Sequence, residues 1–210
     1  MLKIFSFTLL IISFVLISCA KKDDDSSSSS TTYTPSKSGV TASGTITVGG
    51  ESVSGTYASI CADASSLSAK PSDTAAFGFV LVITGDNAFT RELNYFTDAK
   101  CTSHSGGWYF TNDNVTDQGP TASDSTANQK VTYVLENLSF MVKSTAADTF
   151  ATALWSAFSW DFEVDVLKVV SSGLSYYDLI KVADDGSLHF GEVDRSAYPS
   201  TVGSNKYVKQ

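Results

Sequence analysis

The sequence predicts an all-β domain. Its expected form is an antiparallel up-and-down barrel of about eight strands with one late amphipathic helix, with a β-sandwich as the alternative. Three observations predict this. Apolar and polar residues alternate along most of the chain between Ala42 and Gly191, which is the period of a strand. Short stretches rich in Gly, Asn and Asp divide these runs at hairpin distance. A single stretch of the later chain, Thr145 to Phe158, changes to the helical period.

The chain begins with Lys3 ahead of Ile4 to Ile17, a run that is apolar except for Ser6, Thr8 and Ser13. A basic start and a short apolar run make an export signal, because a membrane-spanning helix needs about 20 apolar residues. The run stops at Leu16-Ile17-Ser18-Cys19, and Ala20-Lys21-Lys22-Asp23-Asp24-Asp25 follows at once. These four residues resemble the lipobox of bacterial lipoproteins. The resemblance implies a signal peptide over residues 1–18, diacylglyceryl transfer to the Cys19 sulfur, cleavage before it, and acylation of the new N-terminus. Ala20, rather than Asp, after the cysteine implies the outer membrane. Membrane attachment would then rest on the acyl chains of Cys19, several of them, because one chain binds only marginally.

Residues 19–39 hold the lipidated cysteine and the run Ser26 to Ser30, with few apolar side chains. Such a segment buries too little surface to offset its ordering entropy, so a flexible tether is expected there. Residues 40–210 are then one domain. The chain of 210 residues has a net charge of −8, which becomes −8 − 1 = −9 once Lys3 is removed. An acidic balance argues against nucleic acid, whose affinity depends on cations neutralising phosphates. No protein partner can be read from the sequence.

Strands are expected in order. Ala42 to Val48 and Ser52 to Ile60 flank the turn Gly49-Gly50. Phe77, Phe79, Leu81 and Ile83 share one face, with Val80 and Val82 on the other, so this strand should be buried on both sides. After the turn Gly85-Asp86-Asn87, Phe89, Leu93 and Tyr95 form a dry face against a wet face of Thr90, Glu92 and Asn94. Trp108 and Phe110 lie in the next strand, and Asn112 to Asn128 reads as a long polar loop. Val131, Tyr133 and Leu135 share a face. Leu138, Phe140 and Val142 continue on the opposite parity, which demands a bulge or tight turn near Glu136-Asn137.

In the helix, Phe150, Ala153, Leu154, Ala157 and Phe158 form one stripe, with Thr145 and Asp148 as a start box. Phe162, Val164 and Val166 then alternate with Asp161, Glu163 and Asp165. Tyr176 to Gly191 is a last hairpin around Asp184-Asp185-Gly186, and Arg195 to Gln210 is expected to run over the surface.

With Cys19 spent on lipid, Cys61 and Cys101 are an even pair in an oxidising compartment, and a disulfide is expected between them. They are 101 − 61 = 40 positions apart, which in the chain-entropy model is worth roughly 4 kcal/mol.

Gly55-Thr56-Tyr57 resembles the Gly-x-Trp signature of lipocalins, with Tyr for Trp. The resemblance implies a cup-shaped barrel for a small apolar ligand, and Arg195 as the late arginine that covers the signature aromatic. The helix departs from that family's pattern, because strands follow it.

No serine-hydrolase elbow, zinc-protease helix, Walker loop or dinucleotide fingerprint occurs. Neither a catalytic residue nor a cofactor is expected. His104 and His189 stand apart and read as structural or exposed. Asp161, Glu163 and Asp165, and Asn112-Asp113-Asn114 with Asp117, have calcium-like chemistry but not a calcium loop's spacing, so no metal is expected. The candidate ligand-contacting set is aromatic: Phe77, Phe79, Phe89, Tyr95, Trp108, Phe110, Tyr133, Phe140 and Tyr176. The same pattern also suits a filled core. The expected function is non-enzymatic: a lipid-anchored barrel holding a small apolar ligand, or alternatively a sandwich module binding a protein or glycan through its loops.

Overall fold

A computed structural model of the chain describes residues 32–121, 128–156, 159–191 and 193–210. Cys19 and the rest of the lipobox, most of the expected tether, residues 122–127 of the expected loop, and Ala157 and Phe158 of the expected helix lie outside the described residues. The strands are β1 (Ile46–Val48), β2 (Glu51–Val53), β3 (Thr56–Ala58), β4 (Ala62–Asp63), β5 (Ala76–Gly85), β6 (Ala88–Phe96), β7 (His104–Pro120), β8 (Asn128–Val142), β9 (Leu167–Val182), β10 (Leu188–Phe190) and β11 (Val208–Lys209). The helix α1 is Thr145–Leu154.

Turn chemistry sets the connections. Gly49 and Gly50, at φ +61° and +84°, make the two-residue β1–β2 turn, whose right-handed twist needs positive φ at both positions. Asn87, at φ +63°, closes β5–β6, since Asn tolerates the left-handed region. Every pairing is antiparallel, and the order across the sheet is β10-β9-β8-β7-β6-β5-β3-β11. The two ends of that order meet. Leu188 of β10 and Tyr207, just before β11, exchange both backbone hydrogen bonds at 2.9 Å. Eight strands therefore close an up-and-down barrel, and the sandwich alternative is excluded. Closure removes the exposed edges that an open sheet would carry.

The disulfide joins Cys61 and Cys101 with a Cα–Cα distance of 6.0 Å, at the ends of the β3–β4 and β6–β7 connections. It is packed with Ala76 and Phe96. β5 is buried on both faces, as its apolar run predicts. Phe77, Phe79, Leu81 and Ile83 face the main core, while Val80 and Val82 lie outside it under Tyr33 and Ala42. The parity change in β8 is a register shift between Leu135 and Asn137, at the expected place.

Six expectations are corrected. Asn112 to Pro120 is strand and not loop, because β7 runs on to Pro120 and pairs with β8 as far as Gln129. Val115 is buried, and the Asp117 carboxylate accepts the Gly49 N–H at 2.6 Å, so the polar residues serve a ladder that the β1–β2 hairpin covers. Ser52 to Ile60 is interrupted by Gly55 at φ +95°. Asp161 to Val166 is not a strand. Asp165, at φ +68°, turns the chain into β9 and leaves Val164 and Val166 exposed. The helix is capped by Ser144, whose Oγ accepts the Ala147 N–H at 3.1 Å, and ends at Leu154. The C-terminal stretch does not merely run over the surface, because Tyr207 is buried and Val208–Lys209 completes the barrel.

The wet face of β6 is also dry. Thr90, Glu92 and Asn94 are buried beneath the segment from Tyr33 to Ser38, which composition assigns to the tether. The Glu92 carboxylate accepts from Ser36 Oγ (2.7 Å), Lys37 N (2.8 Å), Ser38 Oγ (2.5 Å) and Asn94 Nδ2 (2.8 Å). The three strap donors among these four hold the strap to the barrel wall.

Candidate functional site

Strand parity decides what the barrel encloses. Successive side chains alternate between faces, so the inward row of β6 is Phe89, Arg91, Leu93 and Tyr95, opposite Ile83, Leu81, Phe79 and Phe77 of β5. The inward rows of β7 and β8 carry Phe110 and Trp108, then Tyr133, Leu135, Leu138 and Phe140. All nine of the singled-out aromatics lie on the inner side of the barrel wall. Eight belong to the main core, and Phe110 packs against it half-buried. Their rings meet at short range: Trp108–Phe140 at 4.1 Å, Phe89–Tyr133 at 5.1 Å, Phe77–Phe79 at 5.7 Å and Tyr133–Tyr176 at 6.2 Å.

Both mouths are covered. At one, the β1–β2 hairpin contributes Ile46, Val48 and Val53 to the same core. At the other, α1 sets Phe150 against Tyr95 (6.2 Å) and Phe140 (6.5 Å), while Trp155 meets Trp108 at 5.7 Å.

Between the two covers sits a polar centre that the sequence reading missed. Arg91 Nη1 lies 3.4 Å from Asp178 Oδ2. The Tyr133 hydroxyl donates to the same oxygen at 3.1 Å, and Asp178 Oδ1 accepts the Leu179 N–H at 2.7 Å. The Arg91 guanidinium carbon stands 4.6 Å from the centroid of the Phe190 ring. Burial pushes the Asp178 carboxyl up to about 7, against the pull of Arg91, because a charge is costly where water is excluded. Burial likewise raises the hydroxyls of Tyr133 and Tyr207, so both are neutral donors near pH 7. The Tyr176 hydroxyl, one pleat from Asp178, is buried without a hydrogen-bond partner. A signal for this centre exists in the sequence. Arg91 falls in phase with Phe89, Leu93 and Tyr95, and Asp178 with Tyr176 and Ile180, so each breaks an apolar row at an inward position.

The interior is not uniformly sealed. Asp178 is fully buried, yet 19% of the Arg91 side chain is solvent-accessible. Because Arg91 points inward from mid-strand, that area opens into the barrel. Towards α1, the inward-facing Phe79 (6%), Leu93 (7%) and Leu138 (7%), with Phe77 (9%) beyond, each keep a little accessible area, whereas outward-facing Val80 and Val82 are at 0%. On the inner wall of β5 the accessible area is confined to the α1 end, since Leu81, opposite Arg91, and Ile83 are at 0%.

The remaining residues singled out by sequence lie elsewhere. Asp165 pairs with Lys143 at 2.5 Å. Asp117 is spent on the N–H groups of Gly49 and Gly119. His104 sits against Phe96 on the outer side, and burial, with Lys37 adding to it, pushes it down to about 4. The cation over Tyr57 is Lys209, 5.8 Å from the ring centroid, where the resemblance implies Arg195. Arg195 lies instead near Tyr176. Compared with protein families and with curated proteins, the sequence matches neither a family nor a curated relative.

Proposed function

We propose that this chain is a membrane-anchored bacterial lipoprotein, acylated at Cys19, probing no chemistry of its own but holding a small, largely apolar ligand inside its barrel. One observation carries the ligand half of this reading: accessible surface persists among inward-facing side chains, from Arg91 past Phe79 and Leu93 to Phe77. Protein interiors are ordinarily packed to the density of organic crystals, so open apolar surface inside a barrel is room for an occupant. Eight strands give an interior of the right width for one small molecule. The anchor half rests on Leu16-Ile17-Ser18-Cys19 behind a short apolar run.

Each half has its own test. Labelled palmitate should enter the wild-type chain and not Cys19→Ala, which should also leave the membrane fraction. An unlabelled wild type would remove the anchor. For the ligand, the chain without residues 1–19, secreted through a cleavable signal, keeps every described contact. Its native mass spectrum should show an adduct that denaturation releases, or the protein should take up decanol. A bare mass with no decanol uptake up to its solubility limit would end the ligand reading.

A further inference from the structure

We infer that the occupant of the barrel is an amphipathic anion, a small carboxylate with an apolar tail, whose headgroup sits on the Arg91 guanidinium and whose tail lies along Phe79, Leu93, Phe110 and Leu138. The inference rests on the proposal that the interior holds a ligand, and it adds the ligand's chemical class.

The first argument is the state of Arg91. A guanidinium offers five N–H donors in a planar fork suited to a carboxylate. Its ion-pair contact with Asp178, at 3.4 Å, is long beside the 2.7–2.9 Å usual for a charge-assisted hydrogen bond. Phe190 covers one face of the fork, and the hydroxyls of Tyr207 and Tyr133 are its other polar neighbours. Donors remain, and they border accessible space.

Asp178 supplies the second argument, because it does not depend on Arg91 alone. It accepts from the Tyr133 hydroxyl and from the backbone N–H of Leu179. The carboxylate would keep these partners if the guanidinium turned towards a ligand. Tyr176 is the third. Its hydroxyl, on the same inner face of β9, is buried with its donor unused, and an added acceptor nearby would satisfy it.

Charge then sets a linkage. Two carboxylates beside one guanidinium leave an uncompensated negative charge in a dry site, which is relieved if Asp178 takes up a proton. The groups facing Asp178 are Arg91 from β6, Tyr133 from β8 and Tyr207 from the closing strand. None but Arg91 is charged near neutral pH. Carboxylate binding should therefore be accompanied by proton uptake and weaken as the pH rises above 7.

The probes are decanoate and decanol, equal in chain length and different in headgroup, titrated calorimetrically into the chain without residues 1–19. The wild type should prefer decanoate by about tenfold or more, as a charge-assisted hydrogen bond in a dry site requires. Raising the pH from 6 to 9 should lower the affinity for decanoate and not for decanol. Arg91→Met with Asp178→Leu removes both charges together and leaves no orphaned carboxylate. In it the preference for decanoate should vanish. If decanol binds the wild type as well as decanoate does, the interior-ligand reading stands and the anionic class is wrong. An unchanged preference in the double variant would also overturn the assignment to Arg91. If neither probe binds, the interior-ligand reading itself fails. The wild-type preference is decisive even if the double variant does not fold.

Discussion

At the scale of single residues, Asp178 controls the electrostatics of the interior. Its carboxyl is raised from 3.8 to about 7 in the folded chain, chiefly by burial. A group that holds its proton more tightly when folded contributes stability that is complete below the unfolded value and lost as the pH rises through the folded one. The contribution of Asp178 is thus full below about pH 4 and declines until about pH 7. Asn cannot ionise, so Asp178→Asn lacks this decline. The melting temperature of Asp178→Asn minus that of wild type should shift in favour of the variant between pH 4 and 8. A shift the other way would mean that Arg91 outweighs burial. Asp185, exposed and paired with Lys206 at 2.5 Å, works in the opposite sense, since its carboxyl lies well below the usual range. Its contribution is present above pH 4 and falls only in strong acid, outside this window.

At the scale of elements, the strap from Tyr33 to Ser38 determines how the barrel hangs from whatever precedes it. Glu92 is a buried acceptor for three strap donors, and removing it leaves them unsatisfied. Glu92→Ala should cost roughly 2–4 kcal/mol in denaturant unfolding and expose residues 33–38 to limited proteolysis. Gly78 tests the same contact from the other side. A Cβ there would stand 1.8 Å from Thr34 Oγ1, so Gly78→Ala should free the strap while leaving the Glu92 carboxylate in place. If both variants resist cleavage as wild type does, Glu92 and Gly78 do not hold the strap. This contact was illegible in the sequence, because Thr90, Glu92 and Asn94 have the pattern of a solvated face. Nothing local says that a Ser-rich segment some 55 residues earlier covers them.

At the scale of the whole molecule, the barrel depends on its last residues. Tyr207 bridges Leu188 on one side of the seam, and Val208–Lys209 pairs with β3 on the other. The Tyr207 ring also packs on Phe190 at 5.3 Å and on Phe79 at 6.2 Å. Ending the chain at Lys206 removes a large buried ring and opens two edges at once. The loss should be about 4 kcal/mol or more and lower the melting temperature by roughly 10 °C. A truncated chain that melts with wild type would show that the seam is not needed. The disulfide does not substitute for it, since Cys61–Cys101 links the β3–β4 and β6–β7 connections and not the β10–β11 seam.

The period-two pattern alone determined the β class, the inward set of aromatics and the parity break at Glu136, because a strand's facing is a local property of alternation. The helix and the cysteine pairing were also legible, the first from its period and the second from an even count. Only the tertiary structure decided that β10 and β11 close a barrel, that a polar segment buries a polar face, and that Arg91 and Asp178 meet inside. The physical reason is the same for all three. Each depends on partners remote in sequence, where the free energy of pairing or desolvation belongs to both residues and neither one's neighbourhood encodes it.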